Sequence, residues 1–343
     1  MRAVVVHSAR DLRIESIAAP ELGPTDIRVR IQAGGICGSD LHYYNHGGFG
    51  VVRLKEPMVL GHEVAGIVEA VGVSASRVTI GQCVAISPSR PCNQCRYCLE
   101  GRQNQCLDMR FYGSAMRFPH VQGAFREVLI CDEAQAHIVA DGVSIGEAAM
   151  AEPLAVCLHG ARRAGPLLGK RVLITGSGPI GALCVIAARR AGAEEIVVTD
   201  VADCALGFAR KVGADRTINI VSEPDALAAY GADKGTFDAM FEASGNEAAL
   251  RGGFEAVRPG GVIVQLGLGG EMKLPMNMLV AKELQVRGTF RFHEEFALAV
   301  SLIGKKLVDV KPLISATLPF TQASEAFELA GDRSQSMKVQ LAF

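Results

Sequence analysis

No stretch of this 343-residue sequence is apolar for long enough to cross a membrane, because Glu152, His159, Arg189 and Arg190 interrupt its greasiest segments. Net charge is lacking too. The 35 basic and 36 acidic residues leave a formal charge of −1, which gives no electrostatic reason to expect a nucleic acid or a membrane surface as partner. The run from 1 to 7 is too short for the apolar core of a signal peptide and reads as a first strand. The expected compartment is therefore the cytoplasm. Repeats and low-complexity tracts are also missing.

What remains is an ordinary globular composition, 49% hydrophobic and 21% charged, on a chain about twice the length of a typical domain. Ten cysteines in a chain expected in the cytosol suggest metal ligands and buried thiols before disulfides. Four of them form Cys92-x2-Cys95-x2-Cys98-x7-Cys106, in a polar lobe with Pro91, Asn93, Gly101 and Asn104. Four thiolates at this spacing suit a closed tetrahedral zinc site, which can stabilise a loop that has no core of its own. The alternatives are an iron–sulfur cluster or free thiols, although the flanking chain offers no ferredoxin-like architecture. Cys83, Cys131, Cys157, Cys184 and Cys204 lie singly, mostly in apolar runs, and read as packing residues.

A second set of donors lies upstream. A glycine-rich turn holds Cys37, Ser39 and His42, and Gly61-His62-Glu63 follows further on. A thiolate, an imidazole and a carboxylate can hold zinc and leave one position open for water or substrate. Each cluster alone has a bland reading, since a lone buried cysteine is usually a small hydrophobe; their combination is what points to a site.

Short alternating runs at 3–7, 26–32, 63–71 and 81–87 read as strands, with a short helix over 36–44. The character changes near 145. Residues 144–165 read as one long helix, capped by Ser144 with Glu147 three positions on and kinked or broken by Pro153. Glu152 stands in an apolar run, where a carboxylate is costly to bury unless it is protonated, paired or near a cation. Strands at 171–175, 195–199, 216–220, 237–241 and 262–266 then alternate with helices ending near 191 and at 203–212, 224–232 and 247–257. That order argues for an α/β fold with a doubly wound parallel sheet. Helices at 292–302 and 321–330 and a strand at 338–342 return to the first unit.

After the strand at 171–175 comes Gly176-Ser-Gly178-Pro-Ile-Gly181, opening a helix. The first glycine permits a tight turn, the second lets backbone approach a pyrophosphate, and the third lets helix and strand pack closely. The helix N-terminus adds free N–H groups and a positive dipole end. Asp200 ends the next strand, placed to accept hydrogen bonds from a ribose and to repel a 2′-phosphate. Asp203 adds negative charge, and no Lys or Arg lies between 201 and 209. NAD is therefore expected over NADP.

With these motifs in place the chain resembles, over nearly its whole length, the zinc-containing medium-chain dehydrogenases, and most of all their polyol branch. The stretches at 37–44, 57–66, 109–123 and 151–161 carry the likeness. The resemblance implies a GroES-like catalytic domain made of 1–148 and 289–343, with a structural-zinc lobe at about 91–107. A Rossmann domain at 149–288 would interrupt it. It also implies two zinc ions per chain and a dimer or tetramer. By position, Cys37 and His62 would ligate the catalytic zinc, and Glu63 and Glu152 would be ligands or hold the zinc-bound water. Ser39 and His42 match a proton relay. Ile180, Asp200, Leu266, Gly267, Leu268, Phe290, Arg291 and Phe292 match segments lining the cofactor and substrate cleft. One departure is Ala205, where polyol members often carry a basic residue.

The implied reaction is hydride transfer from a secondary alcohol to the nicotinamide, with zinc as Lewis acid on the hydroxyl. The expected substrate is a sugar acid oxidised at C5, L-idonate foremost, with 5-keto-gluconate as product. A polyol, threonine or butanediol is the alternative, and a non-catalytic NAD- and zinc-binding protein the remote one. An aldonate ends in a carboxylate, which calls for a cation; Arg110, Arg117 and Arg291, with His120, are the candidates.

Overall fold

Strand Asp26–Gly35 organises the β-rich unit. It buries Ile27, Val29, Ile31 and Ala33 at every second position, the pattern of a strand with one face on a core. In the computed structural model, which describes residues 1–343, three other strands pair with it antiparallel. Glu63–Val71 runs alongside from Ile27↔Val71 to Gly35↔Glu63, and Val128–Asp132 covers the first half. Lys338–Ala342, from the carboxyl end of the chain, pairs with the last residues, Gln340 opposite Gly35. This register sets Gly35, Glu63 and the C-terminal strand side by side. A Cβ on Gly35 would lie 2.1 Å from Glu63 Oε2, so only glycine leaves room for that carboxylate.

The second unit is a six-stranded parallel sheet. Its spatial order is Arg216–Asn219, Glu195–Asp200, Arg171–Thr175, Phe237–Glu242, Val257–Gln265 and Gln285–Gly288. The chain enters at Arg171–Thr175, walks out to one edge, then crosses back and walks to the other. The direction reverses between Arg171–Thr175 and Phe237–Glu242, and a crevice at the carboxyl ends of strands at such a point is where ligands bind in this architecture. Two helices, Ile145–Ala149 and Ala151–Ala164, join the units. One continuous apolar core takes in Ala33, Ala65 and Ala85 from the first unit, Met150 and Leu154 from the linking segment, and Val172 and Val185 from the second. No helix is long and apolar enough to cross a membrane.

The structure departs from the sequence pattern in three places. The expected single helix at 144–165 is two helices hinged at Met150, and Pro153 sits in the first turn of the second, where its missing N–H is not needed. Its ring would strike the carbonyl of Ala149, and the first helix ends there. The capping box at its start is present, with Glu147 N–H donating to Ser144 Oγ and Ser144 N–H to Glu147 Oε2. The expected helix at 224–232 is instead a kinked tight-turned segment, Ala228–Lys234, with Asp233 at φ +52°. The sixth parallel strand, Gln285–Gly288, went unread because it is an exposed polar edge with no apolar run to announce it.

Candidate active site and structural-metal lobe

Cys37 closes the turn after Asp26–Gly35 and starts the helix Gly38–His46; His62 immediately precedes Glu63–Val71. The sheet register brings the thiol, an imidazole nitrogen and a carboxylate oxygen of Cys37, His62 and Glu63 within 4.8 Å of one another. Two residues that the sequence did not single out hold them there. Asp40, with no exposed surface, accepts from Cys37 N–H through Oδ2 (3.0 Å) and from Gly61 N–H through Oδ1 (3.1 Å). It therefore ties the two donor-bearing turns together. Lys338, also buried, donates to both oxygens of Glu63 at 2.8 Å and to the Ile36 carbonyl at 3.1 Å. The sequence signals were faint: an acid three residues into a helix, and a lysine that shares the polar face of a short alternating strand with Gln340, opposite Val339 and Leu341.

The donor set fits a divalent cation. His62 Nδ1 is buried without a hydrogen-bond partner; the nearest acid oxygen, on Asp40, is 3.7 Å away. Burial, with Glu63 adding to it, pushes the Cys37 thiol up to about 12. Burial, with Glu63 and Cys37 adding and His62 opposing, pushes the Glu152 carboxyl up to about 8. A buried thiol and a buried carboxyl so reluctant to ionise, at Cys37 and Glu152, are what a cation would relieve. Glu152, in the first turn of Ala151–Ala164, and Ser39 face the same cavity of about 230 Å³ as the three donors. His42 is one turn beyond Ser39, on the surface, its ring 5.8 Å from that of Phe49.

Cys92, Cys95, Cys98 and Cys106 also bring their sulfurs within 4.8 Å of one another. Backbone N–H groups of the same loop point at the sulfurs, Cys95 N to Cys92 Sγ at 3.3 Å and Cys92 N to Cys106 Sγ at 3.2 Å. N–H groups of Leu107 and Cys98 draw the Cys95 thiol down to about 6. Backbone hydrogen bonds lower the Cys92 thiol as well, while burial raises Cys106 and pushes Cys98 up to about 12; a cation at the centre of the four sulfurs would draw all of them to the thiolate form that binds zinc. Of the single cysteines, Cys131, Cys157 and Cys184 are core residues, while Cys83 and Cys204 are half-buried.

At the switch point the glycine turn has the expected build. Gly176 takes φ +86° and packs against Ser244, a Cβ on Gly181 would sit 1.8 Å from the Gly176 carbonyl, and Gly178 faces open space. Asp200 accepts from Ser177 N–H at 2.5 Å and from Val201 and Ala202 N–H at 2.7 and 2.9 Å. Ala205 is buried and its carbonyl accepts from Ser177 Oγ. Ile180, Leu266 and Leu268 reach the metal-donor cavity from this side, with Phe290 and Arg291 beside them. Phe292 does not: it is buried in the core, 5.6 Å from Phe296.

Only one of the three candidate arginines opens on this cavity. Arg110 is exposed on a two-stranded ribbon opposite Arg90, and Arg117 is ion-paired to Asp108; neither lines it. The Arg291 guanidinium lies 4.0 Å from the centre of the Phe111 ring and 4.8 Å from that of Phe290. Its one hydrogen-bond acceptor is the weak one of Met116 Sδ, at 3.2 Å. Burial draws it down to about 10, with Glu152 opposing. His120 is spent on backbone: Nε2 accepts from Lys55 N–H, which leaves Nδ1 to donate to the Arg117 carbonyl of its own loop at 2.7 Å.

Residues 23–141 match the alcohol dehydrogenase GroES-like domain, and residues 179–305 match the zinc-binding dehydrogenase family. The chain is 47% identical to an L-idonate 5-dehydrogenase (NAD(P)(+)) of Escherichia coli, over 92% of this chain and 91% of that protein. It is 38% identical to the sorbitol dehydrogenase of Gallus gallus, over 99% and 95%. The crystal structure of the Escherichia coli L-idonate 5-dehydrogenase superposes with a TM-score of 0.94 at 44% identity, covering 100% of this chain and 98% of that one.

Proposed function

The chain belongs to the zinc-binding dehydrogenase family, and from that premise we propose that it oxidises the C5 hydroxyl of L-idonate to 5-keto-gluconate with NAD. The observation that carries this reading is that three metal donors and a guanidinium without a carboxylate partner open on one cavity. Cys37 and His62 would hold a catalytic zinc, with Glu63 or Glu152 completing the set. When bound, zinc supplies a Lewis acid that lowers the pKa of the substrate hydroxyl, while the nicotinamide supplies the hydride acceptor. Ser39 Oγ takes the hydroxyl proton at the cavity wall, and His42, at the surface, carries it to solvent. Arg291 holds the far carboxylate through two parallel hydrogen bonds, fixing which carbon faces the metal.

NAD is favoured over NADP because Asp200 and Asp203 place negative charge where a 2′-phosphate would lie and no Lys or Arg stands between 201 and 209. Cys92, Cys95, Cys98 and Cys106 hold a second, structural zinc. Residues 1–148 and 289–343 form the catalytic domain and 149–288 the dinucleotide domain. A homo-oligomer, dimer or tetramer, is supported by the edge strand Gln285–Gly288, which pairs on one side only. Ten cysteines free of disulfides suit a cytoplasmic location.

The relationship to sorbitol dehydrogenase favours a polyol substrate as the second reading. The two are separated by following NADH absorbance with L-idonate, sorbitol, threonine and butanediol at matched concentrations. L-idonate should give the highest kcat/KM, with 5-keto-gluconate as product. Equal or faster turnover of sorbitol returns the chain to polyol oxidation.

A further inference from the structure

Among the buried acids, Asp40, Glu63 and Glu152 stand around the metal donors, and Glu295 is paired with Arg162. Glu242 does neither. It ends the strand Phe237–Glu242 with no exposed surface, level with Thr175 on one neighbouring strand and Gln265 on the other. Its Oε1 accepts from Ser244 N–H at 2.8 Å, from Gly245 N–H at 3.0 Å and from the Ser244 hydroxyl. Its Oε2 accepts from Gly245 N–H at 3.1 Å and from Gln265 Nε2 at 2.5 Å. The same Gln265 nitrogen donates to the Gly267 carbonyl at 2.8 Å, so two acceptors define which end of that amide is nitrogen.

One carboxylate thus joins the turn after its own strand to the turn after the next. A third turn is wedged against the pair. A Cβ on Gly176 would lie 2.7 Å from Ser244 N, and one on Gly267 2.1 Å from Gly245 N. Two of these turns follow the strands flanking the switch point, where the ligand crevice opens, and the third follows the adjacent strand Val257–Gln265. Leu266 and Leu268, on either side of Gly267, line the cavity that also holds Cys37 and His62. Asp200 lies on the opposite side of Arg171–Thr175 in the strand order. The Glu242 staple therefore sets the crevice floor at the metal end, where the hydride acceptor must lie, and leaves the adenosine end alone.

We infer that Glu242 is a positioning residue for the nicotinamide half of the cofactor: its buried carboxylate clamps the 244–246 and 265–268 turns at the height the ring requires. The inference rests on the chain being an NAD(P)-linked dehydrogenase and does not depend on which alcohol it oxidises. Hydrogen bonds to an ionised acceptor are stronger than neutral ones, so replacing the acid by its amide weakens the clamp with little change in volume.

The test is calorimetric titration of Glu242→Gln with NADH and with ADP-ribose, which has both riboses and the pyrophosphate but no nicotinamide. Glutamine keeps an oxygen for Ser244 and Gly245 but turns an amide nitrogen towards Gln265 Nε2, donor against donor. NADH affinity should fall about tenfold, while ADP-ribose stays within roughly twofold of wild type. Equal weakening of both ligands, or an unchanged NADH to ADP-ribose ratio in folded protein, overturns the inference. If Glu242→Gln does not fold, Ser244→Ala removes one donor and leaves the acid in place; a loss selective for NADH then supports the inference, and a parallel loss or none overturns it. Sugar-acid turnover is not read, so failure of the substrate assignment leaves this result unaffected.

Discussion

The four sulfurs of Cys92, Cys95, Cys98 and Cys106 come from a single loop, and the N–H groups that point at them belong to that same loop. The donors Cys37, His62 and Glu63 come from separate turns of the sheet and are held by Asp40 and by Lys338, which is 275 positions from Glu63 in sequence. The first cluster is complete within one loop. The second is assembled by the whole fold and faces a cavity of about 230 Å³. A closed set of four thiolates has no vacancy for chemistry, whereas an open set of mixed donors does. The contrast predicts that damage to the first costs stability and damage to the second costs turnover.

The largest effect should come from Cys37→Ser. Loss of the open site's sulfur should lower kcat/KM on the order of a thousandfold or more, while circular dichroism and Tm stay close to wild type. A stable, folded and still active Cys37→Ser enzyme would break the comparison at once. Cys95→Ser should act the other way, losing stability first. A cost of a few kcal/mol translates into roughly 5–10 °C of Tm by scanning calorimetry for a chain of this size. Because Asn104, in the same lobe, donates to the Phe290 carbonyl at 2.9 Å, KM should also rise in this variant.

The open site can be sharpened further at its far end. A charge-assisted bond made in the transition state contributes about 1.5–3 kcal/mol, roughly 10- to 150-fold in kcat/KM. Arg291→Ala should therefore remove the preference for L-idonate over sorbitol by a factor in that range, read from initial rates of NADH formation. Arg110→Ala and Arg117→Ala should leave the preference in place. The smallest effect belongs to an acid outside both clusters. Burial would raise the Glu295 carboxyl, but hydrogen bonds from His159 and from the N–H groups of His293 and Glu295 outweigh it and hold it at about 2. A carboxyl held below its unfolded value, roughly 4.3, stabilises the fold above that value and loses the contribution as pH falls towards 2. Glu295→Gln should accordingly lower Tm near neutrality by a margin that shrinks below about pH 4, with metal content unchanged.

How much of this was legible in the sequence follows the same division. The four-cysteine lobe and the glycine turn declare themselves by spacing, because their physics is local. Cys37, His62 and Glu63 are readable as donor types, yet Asp40 and Lys338 are not, since only the pairing of Lys338–Ala342 with Asp26–Gly35 brings the lysine under Glu63. Arg291 could not be told from Arg110 and Arg117 by residue type; an exposed ribbon and an Asp108 partner separate them. Pro153 was visible, but its place in a first turn depends on where the preceding helix stops.

The measurement that tests the two-centre account most directly is zinc per chain, by elemental analysis of protein isolated without chelator. Wild type should carry two, and Cys37→Ser and any folded Cys95→Ser should each carry one, the first inactive and the second active but less stable. One zinc per chain in the wild type, or loss of both ions from either single variant, would contradict the account.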